Sequence, residues 1–322
     1  MRSRWVPTPL HTALHGAQHG HAYQLGYTGI YGLYKSDEQG GLLHAIASRG
    51  AAVLAWDMVG MGSRQLIDGI SLFYRRHRDG STSRLASMIG ELHAALDFVF
   101  CASPAAHGAP ECLDPEVHDG TYPPLALPPL NASRVHVLGF SLGAIVALYG
   151  AALSPAARPV AGVAAFGGWT PMRNDGGGVA TGGMRFLYET HALMPRLGYF
   201  DMHQERTLRD NAPLHSASPH ATPQSSRTQE VAPRSQLAEV PYDYDELLTA
   251  LAPRPTLLYT PTANRFANAT AVAAATAVAR TSWAALGAEA NLEVVESSGA
   301  PSDMRSMEIS VALDWVQRVV LG

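Results

Sequence analysis

A serine hydroxyl is a poor nucleophile until the fold aims it and a base takes its proton. The stretch SRVHVLGFSLGAIVALYGAAL, Ser133 to Leu153, carries a candidate: Ser141, in the centre of Gly139-Phe140-Ser141-Leu142-Gly143. A Gly-x-Ser-x-Gly match alone arises by chance in roughly one chain in ten of this size, given ordinary glycine and serine frequencies. Context strengthens this one. The apolar strand pattern VHVLGF runs directly into it and the apolar helical pattern LGAIVALYGAAL runs directly out, which is the setting of a nucleophile elbow. Such a turn strains the serine backbone, and Gly139 and Gly143 let strand and helix approach closely. The Leu142 N–H then lies at a helix N-terminus, where it can donate to an oxyanion. The contrasting reading is a glycine-flanked turn around an inert serine.

The elements needed to hold that turn recur along the chain. GGLLHAIASRG reads as a short helix closed by Gly50, and AAVLAWD (51–57) as a buried strand ended by Asp57. In STSRLASMIGELHAALDFVF, Leu85, Met88, Ile89, Leu92, Leu96 and Val99 fall at helical spacing. Beyond the serine, PVAGVAAFG, PTLLYT (255–260) and NLEVVE (291–296) read as strands. ATAVAAATAVARTSWAALG reads as a helix, as does MRSMEISVALDWVQRVV, with Met307, Val311, Leu313, Trp315 and Val319 expected inward. Alternation of this kind implies a mostly parallel sheet with helices on both faces. Residues 205–238, rich in Ser, Pro, Gln and Arg, read as a flexible insertion. They lie within an excursion over 176–247, between core segments 1–175 and 248–322, where a lid would sit.

The 322 residues, 47% hydrophobic, suffice for one large core. A net charge of −4 and a pI near 6.4 offer no basic footprint for nucleic acid. No apolar run is long enough to span a bilayer. The start, MRSRWVPTPLHTAL, lacks the apolar stretch of a signal peptide. Cys101 and Cys112 flank a Pro/Gly/Ala-rich loop. One bridge would fit an exported chain, but two free thiols are the simpler expectation; the compartment stays open, with a soluble cytoplasmic protein slightly favoured. Asn131-Ala-Ser and Asn268-Ala-Thr fit the N-glycosylation sequon, a short pattern that arises easily by chance.

Together, GFSLG, VLAWDMVGMGSR, SRLASMIGELHAALDFV, HALMPRLGYF and YDYDELLTALAPRPTLLYTP resemble the α/β-hydrolase superfamily. Within it they are most similar to dienelactone hydrolase and acetylxylan esterase-like proteins. The resemblance covers most of residues 20–320 outside the insertion. It implies serine-based hydrolysis of a small-molecule carboxylic ester, without metal or organic cofactor. It also implies an eroded N-terminal sheet edge, because TALHGAQHG is a His-rich stand-in for the family's apolar strand ending in His-Gly. Either His15-Gly16 or His19-Gly20 could mark the oxyanion loop, and GYTGIYG, with Thr28, could equally carry the second donor.

The triad order in this fold is serine, acid, histidine. Where the family's PT-x-Asp-Arg pattern places the acid, this chain has Asn264. Asparagine can hold an imidazole but cannot stabilise imidazolium, and such a change costs roughly 10⁴-fold in a serine protease. The histidine should follow NLEVVE, yet SSGAPSDMRSM has none, and the last histidine of the chain is His220. His191, in the excursion, is the best substitute base; His203 is weaker, His136 is expected to pack against a helix, and His77 to lie on the surface. Asp175 is an alternative acid, and Asp57 is expected to shape its turn. Two functions follow: a serine esterase with a non-standard base, or a catalytically degenerate homologue that binds a ligand. A dehalogenase would need a carboxylate at position 141.

Overall fold

The computed structural model describes residues 10–15, 42–59, 64, 66–67, 70–71, 84–101, 130–156, 158–171, 243–264, 267–298 and 306–322. The elements, in chain order, begin with β1 (Leu10–His15), α1 (Leu42–Ala47), β2 (Ala51–Ala55), β3 (Leu66–Ile67), β4 (Ile70–Ser71) and α2 (Arg84–Cys101). They continue with β5 (Leu130–Phe140), α3 (Leu142–Ala152), β6 (Gly162–Phe166), α4 (Tyr244–Thr249) and β7 (Thr256–Pro261). The last are α5 (Ala269–Ala285), β8 (Leu292–Ser297) and α6 (Ser306–Trp315), which runs on as a π-helical turn, Val316–Leu321.

Six strands form one sheet in the order β2-β1-β5-β6-β7-β8, with every neighbouring pair parallel. Strands buried on both faces carry apolar residues at consecutive positions, and each face takes alternate ones. Val137, Val163, Ala165 and Leu258 face a core built with α2, α3, α4 and α5. Their neighbours Leu138, Ala164, Phe166, Leu257 and Tyr259 face a second core built with α1 and α6. The expected sheet with helices on both faces is what the chain forms. The poor apolar character of TALHGAQHG did not prevent a strand: β1 lies between β2 and β5.

The helical stripe of α2 packs as its spacing predicts: Leu85, Met88, Ile89, Leu92, Leu96 and Val99 are all buried. The last helix keeps much of its expected inward face: Trp315 is buried, and Val311, Leu313 and Val319 are partly buried and pack against the second core. Ala312, Val316 and Val320, which the spacing passed over, are also buried, as is Glu308.

The free-thiol expectation is also corrected, since Cys101 is disulfide-bonded. Around α4, Asp243 and Glu246 form a capping box, with the Asp243 N–H donating to Glu246 Oε2 at 2.6 Å. Arg254 ends that region. Its guanidinium donates to the carbonyls of Leu251 at 3.1 Å, Ala250 at 2.9 Å and, across the core, Ala151 of α3 at 2.6 Å. Burial lowers the Arg254 pKa from its usual value, yet guanidinium stays charged at any ordinary pH.

Candidate functional site

Ser141 connects β5 to α3 with φ 53° and ψ −120°. Among the described residues it is the single non-glycine with positive φ. A residue in so sparsely populated a region is held at a cost of about 1–3 kcal/mol, and only surroundings that over-determine it keep it there. Those surroundings are visible. The Ser141 N–H donates to Phe166 O at 2.9 Å, tying the turn to β6, and its carbonyl accepts from Ala144 N at 3.0 Å, starting the helix. A Cβ on Gly139 would land on the Gly143 carbonyl, and one on Gly168 (φ +81°) on the Ser141 carbonyl. The Gly139–Gly143 approach was legible in the motif. The Gly168 contact was not, because it joins residues far apart in sequence; the paired glycines after VAAF were its only trace.

Leu142 is the first residue of α3, so its N–H is one of the donors that the helix itself leaves unused. A second donor would come from the next strand. β1 ends at His15, which pairs in register with Leu138 of β5 and Ala55 of β2. His15 of the first His-Gly pair therefore lies at the sheet edge that carries Ser141, while Gly16 and the second pair, His19-Gly20, lie outside the described residues. Thr28 lies outside the described residues, as do His191, His203, His77, Asp175 and the 205–238 insertion.

Asn264 stands just beyond β7, at the same edge of the sheet and 7% exposed. Its N–H donates to Pro261 O at 3.3 Å and its carbonyl accepts from Ala267 N at 3.2 Å. It lines a cavity of about 150 Å³ together with Trp169, Thr276, Arg280 and Glu296, over an apolar floor that includes Val272. The buried indole N–H of Trp169 has no acceptor among the described residues. Glu296, paired in register with Thr260, brings a carboxylate to this cavity near the end of β8. Sequence reasoning did not single it out.

One expected structural role holds. His136 is 3% exposed and packs edge-on against Trp315 of α6 at 5.8 Å, with Nδ1 3.0 Å from Arg134 O. Asp57 is buried in the turn after β2, where its carbonyl accepts from Arg64 at 3.0 Å. Glu91 of α2 completes that turn by accepting from Val59 N at 3.0 Å and pairing with Arg64 at 2.6 Å.

A six-stranded parallel sheet with a strained serine between strand and helix can be set beside known proteins. A glucuronoyl esterase of carbohydrate esterase family 15 from Caldicellulosiruptor kristjansonii superposes with TM-score 0.56 at 15% identity. That match covers 98% of this chain and 69% of the other. A promiscuous esterase of the same family from a marine bacterial metagenome gives 0.53 at 12% identity, over 98% and 75%. A Bacteroides fragilis protein assigned as an acetyl xylan esterase gives 0.51 at 12%, over 92% and 61%. This chain has the α/β-hydrolase fold. The family model for phospholipases and carboxylesterases matches residues 108–182, the part of the α/β-hydrolase fold that holds Ser141. No curated protein matches the chain. Ser141 and Asn264 follow β5 and β7 at the same edge of the sheet. Among the described residues that follow β8 there is no histidine.

Proposed function

We propose that the chain is a carboxylic ester hydrolase that uses Ser141 as its nucleophile. The observation that carries this is the backbone of Ser141, held at positive φ by Phe166 O, Gly139 and Gly168. Strain of that kind aims a hydroxyl above the sheet edge. Its Oγ attacks the acyl carbonyl, and the alcohol leaves with the serine proton. Water then hydrolyses the acyl-enzyme. The Leu142 N–H donates to the oxyanion, joined by a second N–H from Thr28 or from the loop after His15. His191, carried by a lid over 176–247, serves as base, and Asn264 orients it. The cavity beside Asn264, apolar below and edged by hydroxyls, fits one side of a small ester.

The relatives support the bond type, since all three are named as esterases and the family model is one of carboxylesterases. The sugar acids in their names are not carried over. Labelling with a fluorophosphonate probe tests the proposal, because such probes react efficiently only with an activated serine. Labelling of the wild type that disappears in Ser141→Ala supports it. No labelling of the folded wild type overturns it.

One observation favours a second reading. With Asn264 in the acid position and no histidine after His220, the chain would be a degenerate homologue that binds a ligand. It would then bind an ester or acid in the cavity without turning it over.

A further inference from the structure

The two sequons of the chain stand in different structural settings. Asn268 caps α5: its Oδ1 accepts from Ala271 N at 3.1 Å and its own N–H donates to Thr170 Oγ1 at 3.1 Å. Its neighbours Ala267 and Ala269 line the cavity at the candidate site. A glycan there would crowd both a helix cap and the mouth of that cavity.

Asn131 lies at the opposite end of β5 from Ser141. The ladder between β1 and β5 slips there: Leu10 pairs with Leu130, but Thr12 already pairs with Val135, which leaves residues 131–134 outside the register. A slip of this kind bends the strand and re-aims its side chains. The Asn131 Oδ1 accepts from Ser133 N at 3.1 Å and from Ser133 Oγ at 2.7 Å. A backbone N–H can only donate, so this bond fixes which end of the amide is oxygen. Nδ2 is the other end, it is engaged in neither bond, and Ser133 is exposed. A second observation is independent of the motif. Cys101 is disulfide-bonded, and stable disulfides belong to oxidising compartments. N-glycans are added in such a compartment.

We propose that Asn131 is an N-glycosylation site, modified on Nδ2, and that Asn268 is left unmodified. The donor is an oligosaccharide carried on a lipid pyrophosphate. The sugar C1–O bond to pyrophosphate breaks, an N–C1 bond to Nδ2 forms, the amide gives up one proton and the lipid pyrophosphate leaves; nothing is oxidised or reduced. The glycan projects from the sheet edge remote from Ser141, so the candidate site stays open. This reading replaces the cytoplasmic expectation and does not depend on the proposed esterase activity.

The test uses the full chain isolated from the cells that make it. Peptide N-glycosidase treatment in heavy-oxygen water marks each glycosylated asparagine by deamidation with label. The expected result is label at position 131 only, together with a drop in apparent mass. An unlabelled peptide over 131, or label at 268 alone, overturns the proposal. Expressed in the same cells, Asn131→Gln and Ser133→Ala remove the mass difference, Ser133→Thr keeps it, and Asn268→Gln leaves it unchanged. The wild-type mapping stands even if one variant fails to fold.

Discussion

The turn at Ser141 and the turn at Asn264 end strands that are separated by β6 alone, yet they are held to different degrees. At Ser141 a strained backbone is locked by Phe166 O, by the Gly143 carbonyl against Gly139 and by Gly168 beneath it. At Asn264 two bonds to nearby backbone, Pro261 O and Ala267 N, set the turn. Neither of these depends on the side chain being an amide or an acid. Packing thus guards the geometry of the first turn, whatever its chemistry, while the two bonds at the second turn are made by backbone atoms that any residue carries.

The comparison can be sharpened by restoring the partner. Asn264→Asp should raise ester hydrolysis by up to about 10⁴-fold, the reverse of the loss seen when a triad aspartate becomes asparagine. An unchanged kcat would mean that no base reads position 264. The opposite manoeuvre attacks the guarded turn. Gly139→Ala must move the Gly143 carbonyl and should cost about 3–5 kcal/mol in urea unfolding, at the upper end of single-residue effects. A cost below about 1 kcal/mol would show the approach to be slack.

Removing the nucleophile should act on rate and not on fold. In serine proteases, loss of the nucleophile costs about 10⁶-fold and loss of the acid about 10⁴-fold. With Asn264 already in place, Ser141→Ala should therefore lower the remaining hydrolysis by on the order of 10²-fold, at an unchanged melting temperature. Equal turnover in that variant would favour the binding homologue.

Smaller effects lie away from both turns. Arg254→Met leaves the Ala151 carbonyl without its charged donor and should cost about 1–3 kcal/mol in thermal unfolding. Asp245 has its pKa raised above 3.8, first by burial and then by the Glu246 charge. A raised carboxyl pKa disfavours the charged form in the folded state, so its contribution to stability falls as pH rises above that value. Asp245→Asn should then raise the melting temperature slightly at pH 7 and not at pH 3. A gain of equal size at both pH values would rule out that cause.

Much of the fold was legible because its signals are local. The α2 stripe from Leu85 to Val99, the strands PTLLYT and NLEVVE, and the glycines around Ser141 all declare themselves within a few residues. What was missed depends on contacts between distant segments. The inward face of α6 is set partly by Ala312, a residue too small to stand out in an apolar pattern. Gly168 meets Ser141 only because β6 lies beside β5. The bonded state of Cys101 depends on the redox setting, which no local pattern encodes. At the candidate site, Ser141 and Asn264 could be placed from motif and strand order. Glu296 was passed over, because a carboxylate near a strand end has no signature until the cavity beside it is seen.

The helix that follows Ser141 is fastened at both ends. At its start the turn is bonded to β6 and closed in by Gly168; near its finish the carbonyls of Gly150 and Ala151 lie 3.0 Å from the His93 ring and 2.6 Å from Arg254. A helix pinned in this way has a fixed length. One inserted residue would advance its far end by about 1.5 Å and turn it by about 100°, pulling Gly150 and Ala151 away from both partners. Lengthening or shortening of the chain over evolution is therefore barred between Ser141 and Ala152, and any change in size must be taken up in other parts of the protein.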